Sequence, residues 1–479
     1  VHLVAPGWNV IGAGEPALPG IALGHNEEIG WGFTIVGIDQ GDLYVEKLNP
    51  ANRDQYWHKG AWRNMEKERQ QVPVKGRAAE TVDLKYTVHG PVIHEDAANN
   101  RAFALKWVGA DPGGAGYLRA LAVSRAKNWS EFKSAVAGYK VPSENLVYAD
   151  RAGNIGWIAS GAAPIRPNWK GLLPVPGDGD YEWQGFLSLD QHPQEYNPPR
   201  HWIATANHNI LPKGYPHTLG FEWNPGYRHQ RIVEMMSAQS KFGVKDFERM
   251  QYDVTSVAAK QFQNVLRKRL PNAHGEMKQV YERMLRWDGR MTTDSVEASL
   301  FEVWTAFLGE AVTGSQLGAG ANLTTVFDLL ERESGGRALQ ISYDAAVAQL
   351  QRLLGTNRSQ WTWGRLHTVS FQHSLRVPAT LSAKFNRGPI PRPGDGNTVN
   401  AAGGGFRQSS GASYRQILDV ADWDRSVITN VPGESGDPDS KHYDDLLPLW
   451  STGRYHALPY SRKAVEAATE ERIELKPKR

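Results

Sequence analysis

The chain has 479 residues, and 54 Lys and Arg against 51 Asp and Glu give it a formal net charge of +3 at pH 7. This near balance, with no run of five Lys or Arg, argues against nucleic acid as a partner. A hydrophobic content of 40 % is too high for a disordered chain, and the length corresponds to about three domains of roughly 150 residues. The absence of Cys excludes disulfides, thiolate metal sites and cysteine nucleophiles. No stretch approaches the roughly 18 apolar residues of a membrane span.

Residues 1 to about 110 predict strands, because apolar residues recur with a period near two. Residues 81–88 alternate in this way, as in a sheet with one buried face. Turn residues at 25–28 and 59–60 predict breaks between strands. The first helix is predicted after Asn128, because this capping residue and Glu131 precede apolar residues at helical spacing.

Segments 146–149 and 155–159 predict a hairpin, and a Pro- and Gly-rich stretch from about 162 to 227 predicts irregular structure. A helical block follows from about 228 to 354. After Trp361 strands and turns return, and the chain ends in helices near 442–452 and 460–472. The predicted parts are a first β-rich part (1–227), a helical block (228–355), and a second β-rich part with C-terminal helices (356–479) that returns to the same core.

Local motifs leave several interpretations open. Asp39-Gln40-Gly41-Asp42 has the spacing to hold a hard cation, although two acids in a turn often form simple Asx turns. The Asn207 amide could donate to a developing oxyanion, or merely shape its loop. The 17 Trp residues fit carbohydrate stacking or plain buried bulk. The acids that would serve a carbohydrate site are Glu27, Glu28, Asp178 and Glu182.

An ordered series of short motifs runs over nearly the whole chain. The motifs are Gly24-His25-Asn26, Trp31-Gly32-Phe33-Thr34, Asp42-Leu43-Tyr44-Val45-Glu46, Tyr86-Thr87-Val88-His89-Gly90, Tyr148-Ala149-Asp150 with Gly153-Asn154-Ile155-Gly156, Leu173-Pro174-Val175-Pro176-Gly177, Ile203-Ala204-Thr205-Ala206-Asn207 and Ser440-Lys441-His442-Tyr443. Together they resemble the β-chain of the penicillin acylase family. Such an ordered series is more specific than any single motif.

The resemblance implies an N-terminal nucleophile amidohydrolase, made as a precursor that cuts itself into two chains. The implied fold class is α+β, a four-layer αββα fold with two mostly antiparallel sheets between helical layers. In the family, the β-chain begins with a Ser whose α-amino group acts as the base, and its hydroxyl forms an acyl-enzyme that water hydrolyses. The implied partners are an acyl amide substrate and the α-chain of the same precursor. The implied location is the periplasm or the outside of the cell.

The nucleophile of the family should lie upstream of Val1. Val1-His2-Leu3-Val4 has neither an initiator Met nor a signal-peptide pattern, so we expect a chain cut by processing or truncation. No internal Ser carries the α-amine that the mechanism requires. The resemblance therefore implies that residues 1–479 alone are inactive.

The resemblance also assigns residues to the site. Asn207 corresponds to the oxyanion-stabilising Asn, and the backbone N–H of Ile35 completes the oxyanion hole. Arg228 corresponds to the Arg that positions the catalytic amine, with a buried ion pair as its alternative role. The acyl-pocket positions are Leu23, Ile35, Ala120 and, nearby, Glu144; Leu23 and Ala120 could also be ordinary core residues.

No cofactor is implied for the chemistry, but a structural Ca²⁺ is. Asp39, Gly41 and Asp42 fall on the calcium loop of the family, whereas Leu219 stands where another acidic ligand is expected. The function implied is the release of an acyl group from a β-lactam side chain, an N-acyl homoserine lactone or a related amide. The alternatives are a non-catalytic acylase-like binding protein and a carbohydrate-active protein.

Overall fold

The computed structural model describes residues 1–15, 19–114, 119–314, 322–332, 336–375 and 377–477. It divides into two compact units, Val1–Asn224 and Pro225–Arg479. Strands dominate the first unit and helices the second.

In its described residues, the first unit contains two larger sheets and two short α-helices. Its strands are β1 (His2–Ala5), β2 (Trp8–Ala13), β3 (Leu23–His25), β4 (Ile29–Ile35), β5 (Gly41–Asn49), β6 (Asn52–His58), β7 (Ala61–Asn64), β8 (Glu66–Val72), β9 (Glu80–Thr87), β10 (Gly90–Asp96), β11 (Arg101–Trp107), β12 (Glu144–Asp150), β13 (Ile155–Ser160), β14 (Val175–Pro176) and β15 (Gln194–Tyr196). Its helices are α1 (Ala120–Val123) and α2 (Trp129–Val136). The strand predicted over 81–88, the breaks at 25–28 and 59–60, and the hairpin of β12 and β13 are confirmed.

One sheet has seven antiparallel strands in the order β1-β2-β3-β4-β12-β13-β15. Asn128 caps α2 as predicted, because its side chain accepts the N–H of Glu131 at 3.0 Å. The helix buries Phe132 and Val136 against the strand residues Leu146 and Ile158. Since side chains alternate along a strand, the residues between these face the opposite side of the sheet, where a second apolar cluster forms.

The other sheet has the order β7-β6-β5-β11-β10-β9-β8, with β14 paired in parallel to β5. On β5, every second side chain from Asp42 through Tyr44 and Glu46 to Leu48 is buried. Their period of two places these four side chains on one face of the strand. That face therefore carries two buried carboxyl groups, which require partners from elsewhere in the chain.

The second unit contains the predicted helical block and shorter elements after it. Its helices are α3 (Tyr227–Met236), α4 (Val244–Gln251), α5 (Val257–Arg269), α6 (Gly275–Arg286), α7 (Val296–Thr313), α8 (Leu323–Arg332), α9 (Gly336–Leu354), α10 (Trp363–Leu366), α11 (Ser382–Phe385), α12 (Leu447–Ser451) and α13 (Arg462–Ala468). Aromatic side chains fill the helical core, and the Phe262 and Trp304 rings meet edge to face with centroids 5.0 Å apart. The indole of Trp304 donates to Leu339 O at 3.1 Å, so its N–H is satisfied inside the core.

The strands of the second unit are β16 (Thr368–Phe371), β17 (Arg387–Pro391), β18 (Arg407–Gln408), β19 (Arg415–Ile417), β20 (Val427–Thr429) and β21 (His456–Ala457). They form two three-stranded sheets, β17-β16-β18 and β19-β20-β21. The final helices are shorter than predicted. Pro448 lies in the first turn of α12, which is where a helix accommodates proline, so this helix begins close to Pro448 rather than near residue 442. The return of the third part of the chain to a common core stays a prediction.

Candidate active site

The end of strand β4 and the loop at Asn207 are joined by one short hydrogen bond. The side-chain Nδ2 of Asn207 donates to the carbonyl oxygen of Ile35 at 2.7 Å. The backbone of Asn207 has a φ of +58°, a left-handed conformation that Asn tolerates better than most residues. The N–H of Asn224 donates to Asn207 O at 3.1 Å, which further fixes the loop. The structure thus brings two of the predicted site residues together.

Ile35 is the last residue of β4, and its partner across the ladder is Glu144 of β12. The Ile35 side chain is 65 % exposed, which is unusual for an isoleucine at the end of a central strand. Asn145 Nδ2 contacts Ile35 O at 3.4 Å and Thr34 Oγ1 at 3.3 Å. Two side-chain amides, those of Asn207 and Asn145, therefore contact the Ile35 carbonyl.

Glu144, the ladder partner of Ile35, is a buried acid. Glu144 is only 3 % exposed, and its Oε2 has no hydrogen-bond partner within the described residues. Burial, and next the charge of Glu15, raise the pKa of Glu144 to about 8. The carboxyl group is therefore mostly protonated and uncharged at neutral pH.

The other predicted pocket residues lie less close to Ile35. Leu23 is a half-buried residue of β3, and the pairing of Gly24 with Trp31 places it level with Gly32, three residues before Ile35. Ala120 begins helix α1, but its side chain lies outside what the structure describes. The assignment of Leu23 and Ala120 to an acyl pocket stays a prediction.

Arg228 lies in the second unit, in the first turn of α3. Burial lowers the pKa of its guanidinium, and the negative charge of Asp395 opposes this effect. Asp395 is itself buried, and burial raises its pKa. This environment resembles the buried ion pair that was the alternative role for Arg228, and the positioning role stays a prediction.

The predicted calcium loop is occupied by an arginine. Arg166 Nε donates to Asp42 Oδ2 at 2.7 Å, and Arg166 Nη2 lies 3.2 Å from Asp39 Oδ2. The Arg166 side chain is 4 % exposed and that of Asp42 is 2 % exposed. Leu219, in place of a further acid, offers only its carbonyl oxygen, which accepts the N–H of Asp39 at 2.6 Å. A divalent cation on Asp42 Oδ2 would have to displace the guanidinium, whereas Asp42 Oδ1 is buried and has no hydrogen-bond partner among the described residues, so the calcium site stays a prediction.

Two residues of the site, Arg166 and Asn145, were not predicted from the sequence. The structure also shows where several of the Trp residues lie. Arg166 comes from the irregular stretch after residue 162, and its pairing with β5 has no sequence signature. Asn145 Oδ1 accepts the N–H of Trp157 Nε1 at 3.0 Å, a contact between neighbouring strands that the sequence alone does not indicate. Several Trp side chains are buried, as bulk rather than as exposed sugar platforms: Trp31, Trp157, Trp304, Trp361, Trp363, Trp423 and Trp450.

The sequence model of the family described as penicillin amidase matches residues 1–467. The chain belongs to the penicillin amidase family. It is 28 % identical over 531 residues to an acyl-homoserine lactone acylase, QuiP, of Pseudomonas aeruginosa, covering 96 % of this chain and 62 % of that protein. It is 30 % identical over 509 residues to the penicillin acylase 2 proenzyme of Pseudomonas sp. (strain SE83), covering 98 % and 64 % of the two chains. The chain thus spans about three fifths of the length of the curated family members it matches.

The structure is similar to the thermostable penicillin G acylase from Alcaligenes faecalis, with a TM-score of 0.79 and 23 % sequence identity over 100 % of this chain and 94 % of that chain. This fold combines helices with mostly antiparallel sheets, so the predicted family and the α+β fold class are confirmed. Within the described residues, no helix combines the length and the apolar character needed to cross a bilayer.

Proposed function

We propose that this chain is the larger part of an amidohydrolase of the acylase type. It would release an acyl group from an amide such as a β-lactam side chain or an N-acyl homoserine lactone, the substrate classes that the names of its relatives state. The nucleophile of the proposal is an N-terminal Ser outside residues 1–479, and an α-chain from the same precursor completes the enzyme. The observation that carries the proposal is the hydrogen bond from Asn207 to Ile35 O at 2.7 Å.

This bond orients the Asn207 amide for oxyanion stabilisation. An Asn side-chain amide carries two N–H donors, and the bond to Ile35 O fixes the plane in which both lie. We assign the second N–H, together with the backbone N–H of Ile35, to the oxygen of the tetrahedral intermediate. Donors held in place before the reaction stabilise developing charge without reorganisation.

The reaction then proceeds by acyl transfer. The Ser hydroxyl attacks the amide carbon, its proton passes through the α-amine to the leaving nitrogen, and the C–N bond breaks to leave an acyl ester. Water attacks the ester and releases the acid, which restores the Ser. The exposed Ile35 would give an apolar acyl chain a surface to lie against.

The test uses the complete, processed two-chain protein and a panel of chromogenic aryl-acetyl and fatty acyl amides together with N-acyl homoserine lactones. Asn207→Ala should lower kcat by roughly a hundred- to a thousand-fold, the usual effect of losing one oxyanion donor. The matched control is Asn209→Ala, which removes an exposed amide of the same loop. A processed protein that hydrolyses no member of the panel and resists serine-directed acylating reagents would refute the activity, and equal loss in both variants would refute the role of Asn207.

Two further parts of the proposal concern the Asp39–Asp42 loop and the location of the enzyme in the cell. In place of the implied calcium ion, we propose that Arg166 braces the loop through Asp39 and Asp42. We also propose export to the periplasm or beyond, which rests on the family resemblance. Fractionation of cells that make the complete precursor would test the location, and recovery of the processed protein only from the cytosol would contradict it.

A further inference from the structure

Two histidines and a glutamate of the first unit converge beside the second sheet. The ligand atoms of His58, His89 and Glu182 all lie within 4.8 Å of one another. His89 Nε2 is 3.1 Å from Glu182 Oε1, and His58 Nε2 is 3.8 Å from the same oxygen. The three residues come from the end of β6, the turn between β9 and β10, and the irregular stretch before β15, so folding alone brings them together.

The outward nitrogen of each imidazole is held by an acceptor. His58 Nδ1 faces Gly177 O at 3.2 Å, and His89 Nδ1 faces Glu46 Oε1 at 2.7 Å. A carbonyl or carboxylate oxygen accepts only, so each Nδ1 is a donor, and each Nε2 faces Glu182 and becomes a metal ligand when an ion replaces its proton. The ring of Tyr44 stacks on His89 with centroids 3.9 Å apart, which fixes the orientation of that imidazole.

The cluster is also rich in negative charge. Glu46 is fully buried, and its Oε2 has no hydrogen-bond partner among the described residues. Within the same part of the chain, the ion pairs of Glu46 and Glu182 involve only His58 and His89. With neutral imidazoles the four groups carry two negative charges, and one divalent cation would balance them.

From this geometry we propose that His58, His89 and Glu182 form a binding site for a divalent transition metal, with Zn²⁺ as the best-matched ion. Zinc bonds of about 2.0–2.2 Å in a tetrahedral arrangement place neighbouring ligand atoms roughly 3.3 Å apart, between the two separations measured to Glu182 Oε1. Two imidazoles and one carboxylate are donors that zinc favours. Glu46 and Gly177 O then serve as the acceptors that orient the ligating histidines.

The site has an open side and a structural consequence. The Glu182 side chain is 27 % exposed, so an ion can enter from solvent and keep water as a fourth ligand. The ion would tie the stretch around residue 182 to strands β5 and β6, because Glu46 and His58 belong to those strands. The metal would therefore add a further cross-link to the irregular stretch between β14 and β15.

The experiment measures zinc binding to the complete protein after removal of bound metal with a chelator. Equilibrium dialysis with elemental analysis should find one Zn²⁺ per chain in the wild type, and added Zn²⁺ should raise the Tm. Glu182→Gln, a change at a partly exposed residue, should lose both effects. Glu46→Gln leaves all three ligands in place and should weaken zinc affinity by about 10- to 100-fold without changing the stoichiometry.

The control is His94→Gln, which removes an exposed histidine of β10 outside the cluster and should leave zinc binding unchanged. Substitution of Co²⁺ gives a second measurement, since the absorption bands of a tetrahedral nitrogen and oxygen site should form in the wild type and not in Glu182→Gln. The proposal is overturned if the wild type binds no more zinc than Glu182→Gln, or if the wild type and the Glu46→Gln variant bind zinc equally well. In either case the cluster would be held together by shared protons alone.

Discussion

Glu144 makes the stability of the folded chain depend on pH. In the folded chain burial and Glu15 raise its pKa to about 8 from an ordinary 4.5. Below pH 4.5 both the folded and the unfolded chain hold the proton, so the group has no effect. Between pH 4.5 and 8 only the folded chain keeps it, so the free energy of unfolding falls as the pH rises, by about 1.4 kcal/mol per pH unit. Above pH 8 the loss levels off at about 5 kcal/mol.

Glu144→Gln should remove this dependence, because Gln has a similar shape and no ionisation. We expect urea unfolding, followed by tryptophan fluorescence at a series of pH values, to show a flatter curve for the variant than for the wild type. The two proteins should be similar near pH 4, and the variant should be the more stable above pH 8. The control, Glu28→Gln, changes an exposed acid of the β3–β4 turn and should keep the wild-type slope. Parallel curves for wild type and Glu144→Gln would refute the reasoning.

Two further predictions concern stability. Arg166→Met leaves the Asp42 carboxylate buried without its cation and should lower the free energy of unfolding by about 3–5 kcal/mol, measured by denaturant unfolding. Neither calcium nor a chelator of calcium should change the wild-type Tm. A rise in Tm with calcium would show that the ion binds the loop. Trp304→Ala should cost about 3–5 kcal/mol in the helical core, measured by denaturant unfolding, because it leaves a cavity and removes the indole N–H that donates to Leu339 O and Ser342 Oγ. A loss below 1 kcal/mol would show that the core collapses around the site.

Local sequence patterns predicted helices and strands well where an apolar face, a capping residue or a turn marks the element. The cap at Asn128 and the apolar residues after it were sufficient for α2, and the hairpin of β12 and β13 follows from two apolar runs around a Gly-containing turn. The final helices were placed less well, since their limits depend on a proline and on contacts with the rest of the chain rather than on periodicity.

The candidate site was predictable only through the family resemblance. Ile35 and Asn207 are 172 positions apart in the chain, and nothing in the local sequence around either residue indicates that they share a hydrogen bond. The spacing of Asp39 and Asp42 indicated a cation, and the resemblance implied calcium, but Arg166, which pairs with both acids, is distant from them in sequence. In the same way, His58 and His89 lie in ordinary strand and turn sequences, and their convergence with Glu182 arises from pairing across the sheet.

Strand β5 has a property that follows from the side chains on its buried face. Asp42 and Glu46 point the same way, and each finds its counter-charge or imidazole at one position only. If β5 slid by a single residue against β11, both acids would turn to the other face and Lys47 would turn inward. Arg166 and His89 would lose their carboxylates at once. A shifted register of this strand would therefore leave buried charges unpaired and be much less stable, so these polar contacts select the native register when the sheet forms.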